Sequence, residues 1–142
     1  MIYLALLATV MAGDVNPLTQ VAPVEHRGVA YNVTYEPKVS LTAKTIGTAA
    51  GTRPFLQRCL WSATVSVERK VHRPGEPVAL DKVLPETRTL SGSLDGNCQM
   101  HRKTLSAEKI AQRSAVREHM DQVVEADQRI VLADIDSARA LN

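Results

Sequence analysis

The stretch RCLWSATVSVERKV, residues 58–71, decides the fold. Cys59, Trp61, Ala63, Val65, Val67 and Val71 fall on one side of a two-residue alternation. Arg58, Leu60, Ser62, Thr64, Ser66, Glu68 and Lys70 fall on the other. Successive side chains of a β-strand point to opposite faces, so this pattern is a strand with one face buried and one wet. Trp61 is its largest single contribution to a core.

The same period appears toward the N-terminus. Val29, Tyr31, Val33 and Tyr35 alternate with Ala30, Asn32, Thr34 and Glu36, and Val39, Leu41 and Ala43 alternate with Lys38, Ser40, Thr42 and Lys44. Parity survives across Pro37, so Glu36-Pro37-Lys38 is either a three-residue turn or a bend in one long strand. Pro37 offers no N–H to a ladder and belongs at an edge or a turn. Residues 46–57, with two glycines and a proline, read as the loop of a long hairpin.

Toward the C-terminus, residues 72–77 form a turn and residues 78–94 a weaker pattern with one irregular or edge strand near 87–93. From Cys98 to the end there is no Gly and no Pro, which argues for helix. Ser106 suits the N-cap, with Glu108 in the first turn where the helix dipole favours an anion. Leu105, Val116, Met120, Val123, Val124, Ile130, Val131, Ile135, Ala138 and Leu141 share a broad apolar arc. Lys109, Arg113, Asp127 and Asp134 intrude on it. An unbroken helix over residues 106–141 would reach ~54 Å, longer than a small sheet covers. A break near residues 127–129, or a far end that projects toward a partner, is therefore expected. The predicted fold is α+β: a small antiparallel meander of three to four strands packed against a long C-terminal helix.

Residues 2–12 (IYLALLATVMA) are uncharged and apolar but too few to span a bilayer core of ~30 Å as a helix. They suit the apolar region of a secretory signal, with Val10 and Ala12 at the −3 and −1 positions of a cleavage site, although no Lys or Arg precedes them. The expected organisation is a signal peptide at 1–12, an extended leader or linker at 13–25, and one α+β domain at 26–142. Within that domain, 26–94 is the meander and 104–142 the helical part. The two cysteines, Cys59 and Cys98, lie outside any metal-ligand spacing and are expected to form one disulfide in an oxidising compartment, periplasmic or extracellular.

Signatures of catalysis are missing: there is no GxGxxG, GxxxxGK[ST], HExxH, GxSxG or EF-hand loop. His26, His72, His101 and His119 are scattered, which points to no metal and no cofactor. Arg117, Asp121, Glu125 and Arg129, four apart, read as an exposed row of helical ion pairs. Asn32-Val33-Thr34 matches a glycosylation sequon inside a predicted strand and carries little weight. The net charge of +2 is too small to announce a polyanionic partner, although residues 53–103 carry +4 and residues 104–142 carry −2. Arg58, Arg69, Lys70 and Arg73 are candidate anion-binding residues on a basic strand edge; without interleaved aromatics they do not favour nucleic acid. The expected function is that of an exported, non-enzymatic binding or structural module, meeting a protein partner or a second copy through the C-terminal helix. Two alternatives stand beside it: a small hydrolytic or ligand-processing enzyme in which a histidine, for example His101 or His119, meets a carboxylate, and an anion-binding module using the basic strand edge.

Overall fold

A computed structural model describes residues 18–47, 56–76 and 80–141 of the 142-residue chain. The signal-peptide reading of residues 1–12 lies outside the described residues. The elements are β1 (Gln20–His26), β2 (Val29–Ile46), β3 (Arg58–His72), β4 (Leu80–Val83), β5 (Arg88–Asp95), a 3-10 turn (Cys98–His101), α1 (Ala107–Ala111) and α2 (Ser114–Ala140). The architecture is α+β, an antiparallel sheet in the order β1-β2-β3, with β4 and β5 both paired to β3. The outer edge beside β3 is thus one strand position split in two. The split falls at Leu84, whose N–H still reaches the Val67 carbonyl at 2.8 Å before Pro85 interrupts the ladder.

The fifth strand segment comes from the expected leader. Residues 20–25 are not a linker but most of β1, which joins β2 through Arg27 and Gly28. Both turn residues have positive φ, 52° and 76°, the twist that a two-residue hairpin turn needs to match its strands. Glycine adopts that conformation freely and arginine does not. At Pro37 the chain does not turn. It continues as one 18-residue strand, with Pro37 opposite Val67 and two residues past Tyr35, where the β1 pairing ends.

The parity of residues 58–71 holds. Cys59, Ala63, Val65, Val67 and Val71 are fully or almost fully buried, and Tyr31, Val33 and Tyr35 of β2 share their face. The helical layer covers this face with Ile110, Val116, Met120, Val123, Val131 and Ile135. Its break is not at residues 127–129. Helix α1, capped by the Ser106 hydroxyl, ends at Ala111, and Arg113 is extended (φ −68°, ψ 146°) before α2 begins. The reason is tertiary: Ile110 and Ala111 are buried, and the Arg113 guanidinium stacks over the Trp61 ring at 4.8 Å.

Nor does α2 project far beyond the sheet. Gln20 donates to Asp121 at 2.9 Å and His26 to Asp136 at 2.8 Å, so the helix lies along β1. The two rulers agree: six strand steps span ~20 Å and fifteen helical steps ~22 Å. An 18-residue β2 of ~60 Å leaves room for such a helix, because the sheet is longer than the composition suggests.

Cys59 and Cys98 are joined as a disulfide with Cα atoms 4.8 Å apart, tying β3 to the turn that leads into the helices. Next to it, Gly92 of β5 lies under the indole of Trp61. A Cβ at position 92 would come within 2.6 Å of Trp61 Nε1. Gly92→Ala is therefore expected to destabilise by about 1–3 kcal/mol through overpacking. Denaturant unfolding followed on the fluorescence of the chain's one tryptophan measures it.

Candidate functional site

The sheet register sets Tyr35, Arg69 and Lys82 side by side across β2, β3 and β4 on the helix-facing side. Above this row run two turns of α2 that carry Asp127 and Asp134, seven residues apart and therefore on one helical face. Arg69 is 1% exposed and Asp127 2%. Arg69 Nη1 donates to Asp127 Oδ1 at 2.7 Å and Oδ2 at 2.9 Å, and Arg69 Nη2 donates to Asp134 Oδ2. Tyr35 Oη donates to Asp127 Oδ2 at 2.9 Å, and Lys82 Nζ reaches Asp134 at 3.4 Å. One arginine nitrogen, Nε, is buried without a partner among the described residues.

Tyr35, Arg69 and Asp134 are each held in the state that serves this network. Burial, and then donation to Asp127, raises the Tyr35 phenol above its ordinary range, so it stays a donor. Burial works against the Arg69 cation, but its hydrogen bonds to Asp127 and Asp134 outweigh it and hold the guanidinium above its usual value. The Arg69 hydrogen bond lowers the Asp134 carboxyl, with Lys82 adding to it.

A second anchor closes the far end. Asp136 accepts from His26 at 2.8 Å and lies 3.1 Å from Arg27 Nε, which fixes the strained turn residue to α2. The His26 hydrogen bond, and then the charge of Arg27, lower the Asp136 carboxyl.

These shifts give a pH dependence with a definite sign. Asp134 and Asp136 bind protons more weakly in the folded chain than at the ordinary aspartate value of ~3.9. The stability they contribute is present above that value and is lost as pH falls through the lower folded values. Stability is expected to fall on acidification below about pH 4. Urea midpoints across the acid range should drop less steeply in Asp134→Asn than in the parent.

The four candidate anion-binding residues are not brought together. Arg69 faces the core, consumed by Asp127 and Asp134, because it shares parity with Val67 and Val71 rather than with Lys70. On the opposite face Glu36 and Glu68 pair directly across β2 and β3, and Lys38 and Lys70 neutralise them at 3.3–3.8 Å. Arg58 pairs with Asp95 at 3.1 Å. Arg73 stands apart, beside a groove of about 240 Å³ shared with Tyr31, Leu80, Ile135 and Arg139.

The row Arg117, Asp121, Glu125 and Arg129 is exposed as expected, whereas Asp127 is buried and Asp134 half-buried. The histidine that meets a carboxylate is His26, not His101 or His119. His101 Nε2 donates to the Asp95 carbonyl at 2.7 Å, and His119 is buried with Nε2 unpartnered among the described residues. No group of three or more His, Cys, Asp or Glu among the described residues is disposed to hold a metal ion. No helix among them is long and apolar enough to cross a membrane.

Chemically, Asp127 accepts three hydrogen bonds from groups that are themselves buried. An arrangement of this kind joins the helix to the sheet, and Asp127 within it is 2% exposed. No family model, curated protein or solved structure matches the chain.

Proposed function

We propose that this chain is an exported, non-enzymatic binding or structural module of the periplasm or cell surface, acting through protein–protein contacts. The observation that carries the reading is the Cys59–Cys98 disulfide, a bond that persists in oxidising compartments and is rare in the cytosol. The apolar run at residues 2–12 agrees with it. So does the use of the buried polar groups: Arg69, Asp127 and Tyr35 are spent on holding helix to sheet, which leaves the surface to make contacts. The exposed apolar side chains Ile130 and Leu141 on the far half of the helical segment suit a contact there.

Cell fractionation combined with non-reducing mass spectrometry tests the proposal. The expected result is a shortened chain in the exported fraction, two mass units lighter than its reduced form because one disulfide has formed. A full-length chain with two free thiols in the cytosol would overturn it.

A further inference from the structure

We infer that β5 is a self-association edge, on which a second copy of this chain pairs its own β5 antiparallel to form one continuous sheet. The inference extends the reading of the chain as a contact-making module but stands on edge geometry. β5 pairs only with β3, and its outer side meets no other strand among the described residues. The Gly96 N–H donates to the Gln57 carbonyl at 2.8 Å, one step beyond the Asp95–Arg58 pair. Hydrogen-bonded and non-hydrogen-bonded pairs alternate in an antiparallel ladder. The even-numbered residues of β5 therefore bond to β3, while Thr89, Ser91 and Ser93 aim their N–H and C=O groups outward; Asp95 aims its N–H the same way, and its C=O accepts from His101 Nε2 at 2.7 Å.

Exposed edges are ordinarily blunted by charge, proline or short length. The opposite edge, β1, has Pro23 at its centre, and β4 is four residues long with Asp81 and Lys82. Between Arg88 and Asp95, β5 reads Thr-Leu-Ser-Gly-Ser-Leu, with neither charge nor proline. The segment Leu90-Ser91-Gly92-Ser93-Leu94 reads the same in both directions, so the strand is complementary to itself reversed, while Arg88 and Asp95 at its ends are already paired within the chain with Glu118 and Arg58.

Register follows from the faces. A two-fold axis normal to the sheet keeps both helical layers on one side, so paired residues must share parity. Centring the axis on Gly92 sets Leu90 against Leu94 of the second copy. Ser91 then lies against Ser93, and Thr89 against Asp95. Leu90 and Leu94 are only half-buried within one chain and would be covered in the pair. The leucine pairs fall at the non-hydrogen-bonded positions, where side chains approach most closely.

Sedimentation of the oxidised full chain over a concentration series is expected to show a monomer–dimer equilibrium. Ser91→Pro removes an outward N–H and leaves the β3 ladder whole, so it should weaken the dimer roughly tenfold or more while the disulfide stays formed. Amide exchange of the unmodified chain gives a readout that does not depend on this variant folding. The Thr89, Ser91, Ser93 and Asp95 amides should gain protection as concentration rises. A monomer at every concentration would overturn the inference. So would a dimer in which these amides exchange as fast as in the monomer. Either result leaves export, and binding to a different protein, to be judged by fractionation.

Discussion

Asp127→Ala is expected to destabilise the chain by about 3–5 kcal/mol, the largest effect of any single substitution considered for this fold. Truncation strands Arg69, which is 1% exposed, inside the core with two of its three hydrogen bonds gone. It also orphans the Tyr35 hydroxyl, whose acceptor is Asp127. Asp134 still binds Arg69 Nη2, but that carboxylate is half-exposed and reaches only one side of the guanidinium. Marginally stable domains have about 5–15 kcal/mol in total, so the variant should melt far below the parent or fail to fold. Urea titration followed by far-UV circular dichroism measures the loss. Where Asp127→Ala fails to accumulate, Tyr35→Phe, which removes a single donor, should still cost about 1 kcal/mol.

The second large effect belongs to the disulfide. Cys59 and Cys98 close a loop with a sequence separation of 39. In the chain-entropy model that cross-link stabilises by about 4 kcal/mol, chiefly by restricting the unfolded chain. The double replacement Cys59→Ala with Cys98→Ala is expected to lose most of that amount, and reduction of the parent should do the same. Cys59 is fully buried against the core, so alanine there adds a small packing loss. Matched denaturation curves with and without reductant separate the two contributions, since reductant should leave the double variant unchanged.

Much of the sheet was legible in the residues because strand parity is a strict signal. Every residue named on the buried side of the alternation over residues 58–71 faces the helical layer, and the Cys59–Cys98 pairing followed from there being two cysteines to join. β1 was illegible for two reasons. Pro23 sits at its centre, where proline argues against a strand, and its turn is Arg27-Gly28 rather than the commoner Asn-Gly. The helix break at Gln112 and Arg113 carries no Gly or Pro; the stacking of Arg113 on Trp61 sets it, and periodicity is blind to that contact.

The buried cluster left a signal that composition obscures. Arg69 has the parity of Val67 and Val71, and Asp127 and Asp134 interrupt an otherwise apolar helical arc. Interruptions of opposite sign on two faces that must pack together are the mark of a buried pair. Read as a surface edge, Arg69 looks like an anion ligand; read by parity, it belongs in the core.

The account rests on Arg69 and Asp127 holding α2 to the sheet as a unit, and a double-mutant cycle tests that most directly. Arg69→Met, Asp127→Leu and the combined variant should be compared with the parent by urea denaturation. Each single change should cost several times more than thermal noise, and the double variant should recover much of the loss, giving a coupling of about 2–3 kcal/mol. Losses that simply add, with coupling within about 0.5 kcal/mol of zero, would contradict the clamp.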